Sequence, residues 1–547
     1  MRCKWWGWGE ENKTFSLENR HSFLPYLNKE LDLTGDETDA RVELNSIGLP
    51  ACKIQISILE KIKKITGTIN VFTDDFERLI HSYGKSYPDL IRVRKGDVTH
   101  PPDIVIYPQD EKQISEILQL AHENEIIVIP FGGGTGVVGG VESPWDREVI
   151  SLDMTKMDEL IEIDQQSLTA ELMTGIYGPA LEDKLNAQGF TLYHFPQSFE
   201  FSTLGGWIAT RSAGQQSSKF GKIEDMVISL KMISPTGEIK LKKVPAGATG
   251  PDLKQIIMGS EGILGVITSA VLKIHPLPEL RDYRGIYFKD YEIGVEAIRH
   301  ILQSDITPCT LRLSDIDETL ASFKLKSKGD SMLSALTEKF GKWYLTQKGY
   351  SFSTGCMLII GFEGYKTDVK YELAKALNIC KEYGGFDLGL KAGAEWYKSR
   401  FELPYLRDVL LDKSLMIDTL ETATTWNNIN NLYYKLKDAI SRAISDTGVK
   451  GLVYCHISHV YKGGASLYLT FLGKQVKGQE LEQWMAVKKA ATDCISQNGG
   501  ALSHHHGIGK DHALWMKDEV GVMGLNMIKA VKKELDPKNI MNPGKII

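Results

Sequence analysis

At 547 residues the chain exceeds what a single hydrophobic core usually serves, so two or three domains are expected. Its composition, 42% hydrophobic and 24% charged, excludes a disordered or fibrous protein. A net charge of −6 argues against a general nucleic-acid binder, and the short basic stretch Lys240 to Lys243 reads as a solvated strand end.

In chain order, the opening MRCKWWGWGE lacks the apolar stretch of a secretory signal. No run approaches the roughly 18 apolar residues of a membrane-spanning helix, so the expectation is a soluble or peripheral protein. The first ninety or so residues carry helical patterns such as Ile54 to Ile65, predicting a helical N-terminal region over 1–95. From Pro101 the texture changes. PPDIVIYP reads as a strand, EKQISEILQLAHENE as an amphipathic helix and IIVIPF as a buried strand, together a βαβ unit. Strands continue through ISLDMTKM, LTAELMTG, MVISLKMISPTGEI and GVITSAVLKIHPLP, where Pro276 and Pro278 suggest a boundary near 280.

Beyond it, helices (YEIGVEAIRHILQS, YELAKALNICKEYG) alternate with strands (CMLIIGFEG, ASLYLTFLG), an α+β second domain placed at 281–505. A closing helix, GLNMIKAVKKELD, precedes an ordered terminal turn, PKNIMNPGKII. The final GKII is not an SKL-type tripeptide, so no import address is legible. Cysteines 3, 52, 309, 356, 380, 455 and 494 form no CxxC pair or metal-finger spacing, which predicts free thiols.

Three segments invite a cofactor. Pro130, Phe131, Gly132, Gly133, Gly134, Thr135 and Gly136 follow an apolar strand and could close backbone N–H groups around a diphosphate. The loop is neither a Walker loop nor a Rossmann GxGxxG, and by itself it could be a plain tight turn. Gln197, Ser198, Phe199, Glu200, Phe201, Ser202 and Thr203, then Thr210, Arg211, Ser212 and Ala213, are rich in small and hydroxyl residues suited to a flat cofactor. Glu261, Gly262, Ile263, Leu264, Gly265, Val266 and Ile267 join a turn to a strand, with glycines where bulk would obstruct close approach. Each could also be a turn with no ligand.

Further on, SHHHG places His504, His505 and His506 together. If the stretch is extended, neighbouring rings point to opposite faces, which disfavours one metal; no metal is expected. An imidazole cluster can instead transfer protons or meet phosphate, unless it is solvated surface. Leu467, Leu469 and Phe471 share one strand face while Ser466, Tyr468 and Thr470 share the other. Tyr468 is either a buried structural tyrosine or, over a cofactor, an acid or base. Arg407 in PYLRDVL is either a helix-surface arginine or a holder of phosphate or carboxylate.

In this order and at these separations, the cofactor segments resemble the FAD-binding domain of the p-cresol methylhydroxylase and vanillyl-alcohol oxidase superfamily. That resemblance implies an α+β fold: a two-subdomain FAD-binding domain over 96–280, a cap domain with an antiparallel sheet over 281–505, and a C-terminal segment, 506–547, returning to the active site. It assigns the glycine loop to the FAD diphosphate and the later segments to the adenine and isoalloxazine. With no histidine in the loop, noncovalent FAD is implied. KWWGWG, FSTLGGWIATRSAG, GSEGILGVIT, LRLSD, YLRD, LYLTF and SHHHGIGK narrow the resemblance, over nearly the whole chain, to the alkyldihydroxyacetonephosphate synthases.

The resemblance implies exchange of the acyl group of acyl-dihydroxyacetonephosphate for a long-chain fatty alcohol, giving alkyl-dihydroxyacetonephosphate in ether lipid biosynthesis. A proton leaves the carbon bearing the ester, the fatty acid departs, and flavin N5 holds the carbon as an adduct with no net redox. It assigns Tyr468 and His504 to His506 to catalysis and Arg407 and Arg312 to substrate, and implies a peroxisomal homodimer in peripheral membrane contact. GVVGGVESPWDREV is shorter than the family leads one to expect, implying a loop there that differs or is absent from this chain. The alternatives are an FAD-dependent 2-hydroxyacid dehydrogenase of the D-lactate or glycolate type, and a flavin-binding scaffold without chemistry.

Overall fold

The computed structural model describes residues 3–143, 147–326 and 346–547. Met1 and Arg2 of the opening stretch, and Pro144, Trp145 and Asp146 of the stretch after the glycine loop, lie outside the described residues.

The expected βαβ unit opens a small sheet of β1 (Val71–Phe72), β2 (Ile104–Ile106), β3 (Ile127–Phe131) and β4 (Val149–Asp153), in the order β1-β2-β4-β3. β4 runs parallel to both β2 and β3 and lies between them. The crossover helix Glu111–Asn124 starts where the Asp110 carboxylate accepts the Gln113 N–H at 2.8 Å and ends at Glu125, with φ 58°. Its Ile114, Ile117, Leu118 and Ala121 are buried against the sheet, as the helical spacing requires. The free edge of β3 is covered by the chain's own end: Val128 N–H donates to Ile540 O at 2.9 Å, and Asn542 N–H to Val128 O at 3.0 Å.

A second, antiparallel sheet follows. It uses β5 (Leu160–Asp164), β6 (Thr169–Met173), β8 (Val227–Ser234), β9 (Gly237–Lys240) and β10 (Val266–Lys273), in the order β5-β6-β10-β8-β9; β7 (Phe190–Thr191) and β11 (His275–Pro276) pair separately.

The third sheet has seven antiparallel strands: β12 (Leu280–Phe288), β13 (Thr310–Ser314), β14 (Cys356–Gly364), β15 (Phe386–Asp387), β16 (Leu415–Thr425), β17 (Gly451–Val460) and β18 (Gly464–Lys474), ordered β15-β12-β14-β13-β17-β18-β16. Helices Tyr291–Gln303, Lys366–Glu382, Ile429–Asp446 and Glu480–Gln497 share its core, into which Leu467, Leu469 and Phe471 point. The alternation along β18 leaves Tyr468 and Thr470 on the other face, towards a cavity.

The N-terminal region carries the helices Phe23–Glu30, Ile56–Thr66, Asp75–Ile80 and Tyr87–Arg94 between irregular stretches, and Val71–Phe72 pairs with β2 as an edge strand that helical periodicity does not reveal. Its residues divide between two cores. Ile54, Ile58 and Ile62 pack under the first sheet, whereas Phe23, Leu27, Tyr87 and Leu90 join the third. The closing helix spans Met516–Leu535, longer than GLNMIKAVKKELD, with Gly521 at φ 72° breaking its regularity. All seven cysteines are free. Among the described residues, no helix is long and apolar enough to cross a membrane.

Candidate functional site

The glycine loop leaves β3 and packs against the segment 201–203. A Cβ at Gly133 would lie 1.6 Å from the Phe201 carbonyl oxygen, so only a bare Cα fits. Gly133→Ala is therefore expected to push the loop off this segment, and the purified variant should carry little flavin, read as the ratio of visible to protein absorbance. The Gly84–Lys85 stretch holds the other end of the loop, with Lys85 N–H donating to Gly136 O at 2.7 Å.

Glu261 ties its own turn to the segment that follows the histidines. At φ 48°, its carboxylate accepts the N–H groups of Ile508 (2.6 Å) and Gly509 (2.8 Å). Burial pushes this carboxyl up to about 7, against the pull of those two donors. From the chain's end, the Asn542 side-chain amide donates to Gly140 O at 2.9 Å and Glu261 O at 2.7 Å.

These segments form one wall of a cavity of about 1070 Å³. All of Pro130 to Gly136 line it, with Gln197, Ser198, Ser202, Thr203, Thr210, Ser212, Ala213, Glu261, Gly262, Gly265, Val266 and Ile267. Phe199, Glu200, Phe201, Arg211, Ile263 and Leu264 do not. Phe201 packs with Trp8 and Tyr405; Phe199, Ile263 and Leu264 belong to the core of the second sheet. Glu200 lies 3.9 Å from Lys13 Nζ. Arg211, at φ 51°, turns its guanidinium to Met258 O (3.1 Å) and Gln255 O (2.6 Å). A run of small residues places alternate side chains on opposite sides, which a linear motif cannot show.

The wall suits a flavin dinucleotide. Its glycine end brings bare backbone to a confined turn, the setting in which N–H groups hold a diphosphate. Gly206, Ala209 and Ala213 leave flat space beside it. The volume exceeds the usual range for one drug-sized ligand, roughly 300–1,000 Å³, leaving room for a substrate beside the cofactor.

Opposite this wall, the third sheet supplies the polar groups. Tyr468 on β18 is flanked across the strands by Glu421 on β16 and His456 on β17, whose ring stacks on the phenol at 4.8 Å. Glu421 gathers the histidine loop around itself. Oε1 accepts Ser503 Oγ–H (2.6 Å) and the N–H groups of His505 (3.1 Å) and His506 (2.9 Å), and Oε2 accepts that of His504 (2.6 Å). Burial alone would raise this carboxyl, but the Ser503 hydroxyl and the three converging N–H groups favour its ionised form and hold it well below the usual carboxylate range.

Loss of hydration acts the other way on the rings. Burial takes His504 down to about 4 and lowers His505 and His506, leaving neutral imidazoles able to accept protons at pH 7. Burial pushes Tyr468 up to about 12, a phenol that keeps its proton until a base is near.

The stretch that carries the three histidines is not extended. The loop bends so that its N–H groups converge on one carboxylate; His504 Nδ1 and His505 Nδ1 come to 3.0 Å, and His505 and His506, though not His504, line the cavity. One ligand atom each from Glu421, His504 and His505 lie within 4.8 Å of one another, a spacing that could reach a small cation, but the carboxylate already accepts four donors.

Arg407 faces the cavity from the helix Leu403–Leu411. Nη1 donates to Lys85 O at 2.7 Å, while Nε and Nη2 are buried without a partner. Unpaired guanidinium N–H groups on a cavity wall call for an anion. The Trp-rich start cups this helix: Trp8 N–H donates to Asp408 Oδ2 at 2.8 Å, and Trp8 lines the cavity. Gly9, at φ 77°, lies so close to Tyr405 that a Cβ would meet its ring at 2.1 Å. Arg312 also lines the cavity, but Glu318 (2.8 Å), Ser314 (3.2 Å) and His456 Nδ1 (3.1 Å) engage its guanidinium.

Sequence reasoning did not single out Glu421, His456 or His459. The second of two acids in the Thr-rich strand segment DTLETATT and two histidines in YCHISHV were the available signals. His459, at φ 52° in a bulge of β17, bonds Ser217 Oγ through Nδ1 at 2.7 Å.

Residues 102–241 match the FAD binding domain family and residues 277–546 the C-terminal domain of FAD linked oxidases. The chain is 36% identical to alkyldihydroxyacetonephosphate synthase of Dictyostelium discoideum, over all of this chain and 94% of that protein. Identity to the Trypanosoma brucei brucei enzyme of the same name is 37%, over 91% of this chain and 82% of that one. A solved alkyldihydroxyacetonephosphate synthase structure superposes with a TM-score of 0.84 at 33% identity, covering 99% of both chains. p-Cresol methylhydroxylase, at 14% identity and a TM-score of 0.67 over 91% of this chain and 98% of that one, shares the fold.

Proposed function

The chain belongs to the alkyldihydroxyacetonephosphate synthase family and is an FAD-dependent enzyme, and on that premise we propose that it exchanges the acyl group of acyl-dihydroxyacetonephosphate for a long-chain fatty alcohol. The observation that carries this reading is the pairing, in one cavity, of the unpartnered Arg407 guanidinium with Tyr468 and the neutral histidines, opposite the glycine wall.

The lining residues of Pro130 to Gly136, Gln197 to Thr203, Thr210 to Ala213 and Glu261 to Ile267 would hold FAD. When bound, it supplies a ring nitrogen able to bond reversibly to carbon, so that exchange needs no net oxidation. Arg407 holds the substrate phosphate. Nε2 of His505 takes the proton from the carbon bearing the ester, and Tyr468 donates to the departing carboxyl and accepts from the incoming alcohol. Burial keeps the base neutral, and Glu421, which accepts the His505 N–H, holds the loop that carries it in place. The apolar arm beside Leu325, Met357, Leu406 and Leu410 receives the lipid chain.

The reading extends to noncovalent FAD, supported by a glycine loop without histidine. It extends also to the units 96–280 for flavin and 281–505 for substrate, with 506–547 closing the site, and to a peroxisomal homodimer in peripheral membrane contact, as the family resemblance implies.

Incubating the yellow protein with palmitoyl-dihydroxyacetonephosphate and labelled hexadecanol, with no electron acceptor, tests the reaction. Equal release of fatty acid and formation of ether is expected; flavin bleaching by a 2-hydroxyacid with no ether would make it a dehydrogenase. Arg407→Leu should keep FAD and raise KM for acyl-dihydroxyacetonephosphate by roughly 10- to 100-fold, the size of lost hydrogen bonds to a charged group. Unchanged steady-state kinetics would move the phosphate elsewhere.

A further inference from the structure

The exchange has a proton balance that the cavity must meet. The alcohol's proton leaves with the fatty acid through Tyr468, whereas the proton His505 takes from the ester-bearing carbon must be replaced before the ether departs, because that carbon carries two hydrogens in substrate and product alike. The rings that accept protons are buried, and His505 bonds no water-exposed group directly.

A hydrogen-bonded path leads outward. His505, on the cavity wall, meets His504 through their Nδ1 atoms at 3.0 Å. His504, off the wall, meets the Tyr461 hydroxyl through Nε2 at 2.6 Å, in a bond at the solvent-exposed surface. Tyr461 sits in the turn joining β17 to β18, its N–H donating to Gly464 O at 2.8 Å, and is 37% exposed. We propose that Tyr461 and His504 conduct the reaction's proton between His505 and solvent.

Two imidazoles can share an Nδ1–Nδ1 bond only if one donates and the other accepts. Glu421 Oε2, 3.6 Å from His505 Nδ1, favours the proton on that atom of His505. His505 Nε2 is then the free base facing the cavity, and His504 donates Nε2–H to the Tyr461 oxygen. When His505 Nε2 takes a proton, its Nδ1–H passes to His504 Nδ1, the His504 Nε2–H passes to the Tyr461 oxygen, and the Tyr461 O–H passes to water. One proton enters at His505 Nε2 and one leaves at Tyr461, each imidazole again carries one proton, now on its other nitrogen, and the reverse sequence returns a solvent proton through His505 Nε2 to the carbon. Lys222 Nζ, donating to His504 O at 2.6 Å, and the ionised Glu421, bonded to its N–H, hold the central ring in line. His459 touches both rings, at 5.2 and 4.9 Å between centroids, but no hydrogen bond joins it to either.

The inference rests on the synthase reading and on proton removal from the ester-bearing carbon. The test runs the flavin-loaded enzyme in D₂O with palmitoyl-dihydroxyacetonephosphate and hexadecanol, measuring kcat and the deuterium at that carbon in the ether. Wild type should incorporate solvent deuterium. Tyr461→Phe, with its flavin content and melting temperature unchanged, should lose most of that deuterium and slow on the order of tenfold. Tyr461→His, which keeps a group able to give and take a proton, should recover both. Wild-type deuterium content and kcat in Tyr461→Phe overturn the relay. Wild-type ether without deuterium overturns proton removal by the cluster and the relay with it, whereas no ether at all overturns the synthase reading.

Discussion

Tyr468→Phe is expected to bind FAD as the wild type does and to form ether about 10² to 10⁴ times more slowly, the usual contribution of a placed acid or base. The change removes one oxygen from a ring already stacked between His456 and His505, at 4.8 and 6.0 Å, so packing survives. The flavin wall is built from other segments. What disappears is a phenol whose burial keeps it protonated up to about 12, ready to donate to the leaving carboxyl. Loss of flavin from this variant would show that the ring supports the cofactor; full activity would remove Tyr468 from the chemistry.

Glu421→Gln is expected to abolish activity by a different route. The carboxylate accepts four hydrogen bonds while donating none, which an amide cannot do: its NH₂ would face at least one backbone N–H. Each buried donor left unmet costs about 1–3 kcal/mol, and loss of the charge weakens the rest. The His504–His506 loop should therefore leave its place, with a lower melting temperature and retained FAD.

The wild type carries a related pH dependence. Its buried histidines have folded pKa values below the ordinary 6.5, with His504 at about 4, so the unfolded chain binds more protons between those values. Their contribution to stability is intact above 6.5 and is lost as pH falls through that window. The Glu421 contribution, from a carboxyl held below 4.5, follows only at lower pH. A melting-temperature series from pH 7.5 to 4.5 should fall accordingly, and a flat series would count against buried neutral imidazoles.

Much of this site could be read along the chain. The glycine loop, the Gln197–Thr203 and Glu261–Ile267 segments and the alternation along β18 are local patterns, and local sterics govern them. A side chain on one face of a strand follows from short spacing in sequence, whereas the contact that requires a bare Cα at Gly133 comes from Phe201, in a segment distant along the chain. The helices Glu111–Asn124 and Tyr291–Gln303 were legible for the same reason, through spacing and an aspartate at each start.

What needed tertiary structure came from pairs far apart in the chain. Glu421 and the loop at 503–506 are separated by more than eighty residues, and nothing in DTLETATT marks Glu421, rather than Asp418, as the organiser of SHHHG. Arg407 Nη1 reaches Lys85 O across 322 residues, and the same stretch holds the glycine loop through Gly136. Arg211, expected to meet the cofactor, and Arg312, expected to meet the substrate, share a residue type, yet the first turns to backbone carbonyls and the second to Glu318. A motif specifies which groups are present and how the local backbone bends. Which of them face one another is decided by how the sheets pack, because a buried charge settles wherever partners from other segments can satisfy it.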